Sequence, residues 1–376
     1  MKRLSELYRR PVWAEINLQA IAKNTRLFRK IIGPKTLLLA VVKADGYGHG
    51  ATMVSNTALR NGADQLGVAL VEEGVALREA GITAPIQILG EIPGSAASLV
   101  INHNLIPTVC SLSAAESLSK AASRTGVVVK SQIKVDTGMN RLGFFPEEVL
   151  PFLKQVRELP NFKIGGIFTH FAMADRPESL YTIKQFNKFK DLFSSLPSTG
   201  KNLLKHAANS AATILFPETH LDMVRIGISL YGLHASSATK TKATLFPALQ
   251  LKTKISSVKK LGTGEGVSYG LTYKASRPTK IALLPLGYGD GYTRLLSNKS
   301  QVLIRGRRFP VAGTICMDQL MVDVGQSDIK PGEEAVLIGE QGNEEITVDE
   351  IAGILGTINY EVVCMINKRV PRIYIS

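Results

Sequence analysis

Lys43 stands at the end of an apolar run, LLLAVV (37–42), and is followed at once by Asp45, Gly46, Tyr47, Gly48 and His49. A buried ammonium is costly. Burial also lowers a lysine's pKa and frees the amine to attack a carbonyl. Polar groups recur where later apolar runs end. VVVKSQIKV (127–135) carries Lys134 and leads into Asp136 and Arg141, and KIGGIF (163–168) leads to His170. LLKHA (203–207) leads to Asn209 and Ser210, and LDMVRI (221–226) holds Arg225, with Gly227 and Ile228 next. Each has a plain alternative. His170 alone reads first as a satisfied core histidine, and Arg225 by default as half of a structural ion pair. Asn209 and Ser210 read either as N-caps ahead of AATILF or as an anion site at a helix start. The six histidines show no metal-ligand spacing and the acids form no cluster, so no metal is expected.

These residues need elements that bring strand ends together. LGVAL (66–70), IQIL (86–89) and IPTV (106–109) complete a set of eight apolar runs with the five above. Helical periodicity lies between them. One helix is expected at 17–31 and one after Pro146. Another is expected at 178–195, with Leu180, Ile183, Phe186, Phe189 and Phe193 on one face. Strands alternating with helices pair in parallel, and near-continuous apolar strands are covered on both faces. Eight units over this length fit an α/β (β/α)8 barrel of the TIM type, whose functional groups gather at the carboxyl ends of its strands. A doubly wound open sheet is the alternative. Beyond residue 240 the texture becomes short alternating strands punctuated by Gly and Pro, with one short helix signalled by Thr347 and Glu350. The expected domains are 1–240, the barrel, and 241–376, predominantly β.

The formal charge of +14 invites nucleic acid as a partner. The basic residues are scattered, however, and the pairs at 259 and 305–308 sit in turn-like contexts. Aromatics are only 6%, so no nucleic acid is expected. No window is long and apolar enough for a membrane span or a signal peptide. Cys110, Cys316 and Cys364 are too far apart for a disulfide framework, which suits a reduced cytoplasmic protein. GYGHGA (46–51) matches a dinucleotide-binding turn. Against it, Lys43 and Asp45 lengthen a turn that should be tight, and the acidic Asp64 precedes its strand instead of ending it.

AVVKADGYGHG closely resembles the signature of the alanine racemases, fold-type III pyridoxal phosphate enzymes. IKVDTGMNRLGF, GIFTHFAMAD, HAANSAA, VRIGISLYG, GVSYGLTY, LPLGYGDGY, AGTICMDQLMVDV and INYEVVCMINKRVPRIY resemble further blocks of that family, in family order along nearly the whole chain. The resemblance implies an N-terminal barrel, a C-terminal β domain, and a head-to-tail homodimer whose active sites are shared. By it, Lys43 carries pyridoxal 5'-phosphate and acts as one catalytic base, and Tyr269 of the partner subunit is the opposite base. Arg225 faces the pyridine nitrogen, with His170 behind it. Tyr47, Asn209, Ser210, Gly227, Ile228 and Tyr360 hold the phosphate. Arg141 and Met317 meet the substrate carboxylate, with Asp318 beside them and Tyr288 narrowing the entrance. Lys134 matches a lysine carbamylated in some relatives, and Asn140 replaces a glycine common there.

The activity so implied is interconversion of L- and D-alanine, supplying D-alanine for peptidoglycan. A racemase of broader range, acting on serine or basic amino acids, is one alternative. A non-catalytic pyridoxal phosphate carrier is another, and such carriers resemble the barrel alone.

Overall fold

The computed structural model describes residues 10–196 and 202–376. The chain forms two compact units, Gln19–Pro247 and a second that joins the residues up to Leu18 to Ala248–Ser376. Strand β1 (Val12–Asn17) belongs by its pairing to the second unit.

In the first unit, eight strands lie in the order β8-β7-β6-β5-β4-β3-β2-β9. They are β2 (Leu37–Val41), β3 (Gln65–Val68), β4 (Ile86–Glu91), β5 (Ile106–Val109), β6 (Val129–Lys134), β7 (Phe162–Phe168), β8 (Leu204–His206) and β9 (Met223–Ile226). Every neighbouring pair is parallel. Asp222 N donates to Lys205 O (3.0 Å) and Arg225 N to Ala208 O (3.0 Å), which joins β9 to β8 and closes the ring. The expected barrel is therefore observed, with a strand on each apolar run. Leu38, Leu39, Leu66, Ile86, Ile88 and Ile133 are wholly buried, as strands covered on both faces require.

The helices sit outside. Leu18–Ile32 buries Ile21, Thr25, Phe28 and Ile32 at helical spacing. Tyr181–Ser195 turns a different face inward from the expected one. Thr182, Gln185, Phe186, Phe189 and Leu192 are buried, whereas Leu180 is 81% exposed. The cause is Gln185. Its amide donates to His170 O (3.1 Å) and Thr137 Oγ1 (3.3 Å) and accepts from Ala172 N (2.9 Å). A polar side chain thus anchors this helix beneath two strand-end loops.

Gly232 ends the single turn Ile228–Tyr231 at φ +84°, and a Cβ there would lie 1.8 Å from Phe246 O. Gly232→Ala combines left-handed strain with a backbone clash. It should cost about 3 kcal/mol or more, seen as a lowered Tm and urea midpoint. An unchanged midpoint would show that the 246–247 segment gives way freely.

The second unit is mostly β. Its main sheet pairs β1 antiparallel with Leu249–Lys254 and parallel with Arg372–Ile375, and continues through Glu334–Gln341, Gln301–Ile304 and Arg307–Pro310. Ser257–Leu261, Thr279–Leu284 and Leu320–Gly325 form a three-stranded sheet. Lys259 and Lys260 lie on its first strand, not in a turn; solvent accepts charged side chains on such a face. Arg305 and Gly306 do turn between strands. Arg305 pairs with Glu333 (2.6 Å), and Arg308 with Glu344 (2.8 Å) and Glu350 (2.7 Å), so two arginines of this basic run are matched locally. Thr347 Oγ1 accepts from Glu350 N (2.9 Å) and caps Val348–Leu355, as expected. A second helix, Asn359–Met365, carried no cap signal and holds Tyr360.

Candidate active site

Val41 ends β2, and the chain then winds the wrong way. Ala44, Asp45, Gly46 and Tyr47 have φ between 50° and 62°, a left-handed helical turn directly after Lys43. Each non-glycine residue there costs roughly 1–2 kcal/mol, so neighbours must hold the turn. Ala44 N donates to Glu73 Oε1 (2.6 Å) and Ala51 N to Asp45 Oδ1 (2.9 Å). Tyr47 packs on Tyr231 at 5.0 Å between ring centroids, and Tyr231 Oη donates to Val41 O (3.0 Å). The turn fixes the direction of Lys43, which is half-buried at the strand's carboxyl end. It also replaces a dinucleotide loop. Asp64, the acid such a loop would need, accepts from Leu38 N (2.7 Å) and pairs with Arg29.

Arg225, on β9, is 4% exposed and, among the described residues, has no carboxylate partner. Its Nη2 donates to Thr169 O (2.8 Å) and Ala207 O (2.8 Å) and lies 3.1 Å from His170 Nδ1. Its Nη1 donates to His206 Nδ1 (2.7 Å). Burial pushes the guanidinium down to about 9, still above neutral pH, so it remains a cation. Burial and then Arg225 hold both His170 and His206 well below the usual histidine range, so both rings are held neutral. Among the described residues, Arg225 Nε–H and the second Nη1–H donate to nothing. A buried guanidinium with donors to spare suits an aromatic nitrogen that accepts without being protonated.

The end of β9 and the next turn form a tight concavity. Gly227 N donates to Ser210 Oγ (2.9 Å), and a Cβ on Gly227 would sit 2.7 Å from Tyr47 Oη. Ser210 opens the short helix Ser210–Leu215, and Asn209 caps it by accepting from Ala212 N (3.0 Å). Asn209 Oδ1 is thus engaged as an N-cap, and Asn209, Ser210, Gly227, Ile228 and Tyr47 are the residues an anion would meet here. These residues fit a phosphate, and with Arg225 and Lys43 they fit pyridoxal phosphate.

Lys134 ends β6, 7% exposed, with Nζ 4.3 Å above the Phe168 ring. Burial first, then Arg225 and Arg141, hold its ammonium well below the usual lysine range. Lys134 is therefore the deeply buried lysine, whereas Lys43 is only half-buried.

Asp136, 6% exposed, organises the loop that follows. Oδ1 accepts from Gly138 N (2.8 Å) and Asn140 N (3.0 Å), and Oδ2 from Arg141 N (2.9 Å). Burial raises its pKa, but the backbone donors outweigh this and hold the carboxyl below its ordinary value. Asn140 lies at φ +55°, a conformation that asparagine and glycine share, so this departure preserves the turn that presents Arg141. Asp136→Ala should cost about 2 kcal/mol at neutral pH. Because the folded-state pKa is depressed, the advantage of the natural residue is complete above the unfolded value. It fades as pH falls below about 4. Urea titrations on either side of that pH check this; a difference independent of pH would refute it.

The second unit carries a set of its own. Tyr269 opens a short turn between Gly266–Val267 and Tyr273–Lys274 and is 72% exposed. Thr314 Oγ1 donates to Tyr269 O (2.9 Å) and Ser268 Oγ to Thr314 O (2.5 Å), tying that turn to the segment holding Cys316 and Met317. Tyr288 N donates to Cys316 O (3.0 Å) and Gly289 N to Met317 O (2.8 Å), so Tyr288 and Met317 adjoin. Asp318 pairs with Arg369 (2.5 Å). Tyr360 is half-buried on its helix. His206 was not singled out in the sequence, although its place at the end of an apolar run, two residues before Ala208-Asn209, is the same signal that marked His170.

Residues 16–235 match the family model "Alanine racemase, N-terminal domain" and residues 248–374 "Alanine racemase, C-terminal domain". The alanine racemase of Halothermothrix orenii is 48% identical over 367 residues, 97% of this chain and 97% of that protein. That of Desulfovibrio desulfuricans is 47% identical over 369 residues, covering 98% and 99%. Among solved structures, the alanine racemase of Clostridium difficile 630 superposes with a TM-score of 0.93 at 41% identity, covering 98% of this chain and 96% of that one. A histidine racemase from Leuconostoc mesenteroides superposes with a TM-score of 0.90 at 28% identity, covering 98% and 99%. The barrel with Lys43 and Arg225 at its strand ends, followed by a β unit presenting Tyr269, thus places the chain in the alanine racemase family, a family of isomerases.

Proposed function

We propose that this racemase interconverts L- and D-alanine with pyridoxal 5'-phosphate, using Lys43 and the Tyr269 of a partner subunit as bases on opposite faces. The observation that carries this reading is the buried Arg225, whose spare donors share one barrel mouth with Lys43 and the Ser210–Gly227–Tyr47 concavity. When bound, the cofactor supplies an electron sink that makes the α-hydrogen of an amino acid acidic. Inversion then needs a proton removed on one face and returned on the other, which two bases do directly. Lys43 would hold the cofactor and move the proton on one side. Arg225 would donate to the ring nitrogen without protonating it, since a guanidinium does not yield its proton. Tyr47, Ser210, Gly227 and Ile228 would hold the phosphate, joined by Tyr360 through resemblance. Arg141 and Met317 would meet the carboxylate, with Asp318 and Tyr288 at the entrance.

The exposure of Tyr269, Leu271, Tyr288 and Met317, at 72%, 55%, 41% and 52%, supports a homodimer in which this surface is covered. The depressed ammonium of Lys134 supports carbamylation, because only the neutral amine reacts with carbon dioxide. Supply of D-alanine for peptidoglycan and a cytoplasmic place follow from the family resemblance. Among the described residues, no helix is long and apolar enough to cross a membrane.

The histidine racemase of the same fold keeps a broader substrate range as a second reading. Purified protein should be yellow with pyridoxal phosphate and bleach with borohydride. It should convert each alanine enantiomer to an equal mixture. Faster turnover of serine, lysine or histidine would favour the second reading, and no turnover of any amino acid would refute both.

A further inference from the structure

Behind Arg225 runs a wholly buried line of polar side chains. Gln87, Gln132 and His206 are 0%, 3% and 0% exposed. His206 Nδ1 meets Arg225 Nη1 at 2.7 Å, His206 Nε2 meets Gln132 Oε1 at 2.5 Å, and Gln87 Nε2 reaches the same Oε1 at 3.1 Å. The protons along this line follow from Arg225 alone. A guanidinium has only donors, so His206 Nδ1 must accept. The neutral ring then carries its proton on Nε2, and Gln132 must present oxygen to it. Turning the Gln132 amide over would send the proton to Nδ1, where two donors would face each other at 2.7 Å. His206 also stacks flat on Phe168, with centroids 4.6 Å apart and planes 3° from parallel, a contact that opposes tilting of the ring.

We propose that Gln132 is a positioning residue: its amide oxygen fixes the Nε2–H tautomer of His206, which keeps Nδ1 as an acceptor and so aims Arg225 at the mouth of the barrel. Gln87 holds Gln132 in turn by donating to the same oxygen. Burial and the charge of Arg225 keep His206 neutral, so the line is not a proton store. This deepens the proposed role of Arg225 and rests on it for its effect on the cofactor. The tautomer itself is independent of that role.

The test uses full-length protein with ¹⁵N-labelled histidine, without and with pyridoxal phosphate. Long-range ¹H–¹⁵N correlations should show His206 protonated at Nε2 and bare at Nδ1, constant across about pH 6 to 9. Gln132→Met, close in volume but without an acceptor, should add Nδ1–H tautomer. It should weaken pyridoxal phosphate binding to the cofactor-free protein about tenfold. Gln132→Glu keeps an acceptor oxygen and should restore the tautomer and most of the affinity. If Gln132→Met retained the natural tautomer, or changed it with no effect on affinity, the proposal would be overturned. Normal alanine turnover alongside either result would leave the racemase reading intact. Absence of alanine turnover in the natural protein, with the tautomer and affinity changes as expected, would count against the racemase reading instead.

Discussion

Lys43→Ala is expected to remain folded, to lose borohydride-fixable pyridoxal phosphate, and to lose alanine racemisation by ~10⁴-fold or more. The size follows from the two roles proposed for this one side chain, the amine that fixes the cofactor and the base on one face. Folding should survive because Lys43 is only half-buried. The left-handed turn after it is held by Glu73, Asp45 and Tyr231 and not by the lysine. Lys43→Arg separates charge from chemistry. It keeps a cation at the strand end but not a nucleophilic amine, so it should fall as far as alanine. The measurements are reduction with borohydride followed by mass analysis of the protein, and a coupled assay for each enantiomer. Covalent cofactor retained in Lys43→Ala, or residual activity within tenfold of the natural protein, would remove Lys43 from the proposed chemistry.

The barrel strands were legible because each is a near-continuous apolar run, a pattern that parallel strands covered on both faces impose. The second unit's edge was less so. PVWAEINL alternates, and Val12, Ala14 and Ile16 are indeed buried. Alternation announces a strand but not its partners, which lie at Leu249–Lys254 and Arg372–Ile375, far along the chain. In KADGY only Gly46 advertises positive φ. Ala44, Asp45 and Tyr47 adopt it because their surroundings outweigh their own preference. Gln132 and His206 escaped notice for a related reason. A single polar residue inside an apolar run reads as a strand's outer face, and β6 does place Lys130 outward, yet it buries Ser131 and Gln132 side by side. Only the closed ring shows that Gln132 and His206 share one interior with Arg225.

Tyr269→Phe should separate the two faces of the reaction. The ring is 72% exposed and its backbone is held by Thr314, so losing the hydroxyl should leave the fold and the cofactor content unchanged. Racemisation should fall on the order of 10³-fold, within the range spanned by loss of a positioned acid–base group. In deuterium oxide the variant should behave asymmetrically. Lys43 still reaches one face, so one enantiomer should exchange its α-hydrogen without inverting. The other, which needs the phenol, should neither exchange nor invert. Mixing Tyr269→Phe with Lys43→Ala adds a test of the shared site. If each active site combines the lysine of one subunit with the phenol of the other, mixed dimers contain one site with both bases and one with neither. Activity should then reappear after dissociation and reassociation of the two inactive proteins, reaching at most about half the natural value per mixed dimer. Equal loss of exchange for both enantiomers would show that the phenol is not a one-sided base. No recovery on mixing, with heterodimers demonstrated by mass, would place both bases on one chain.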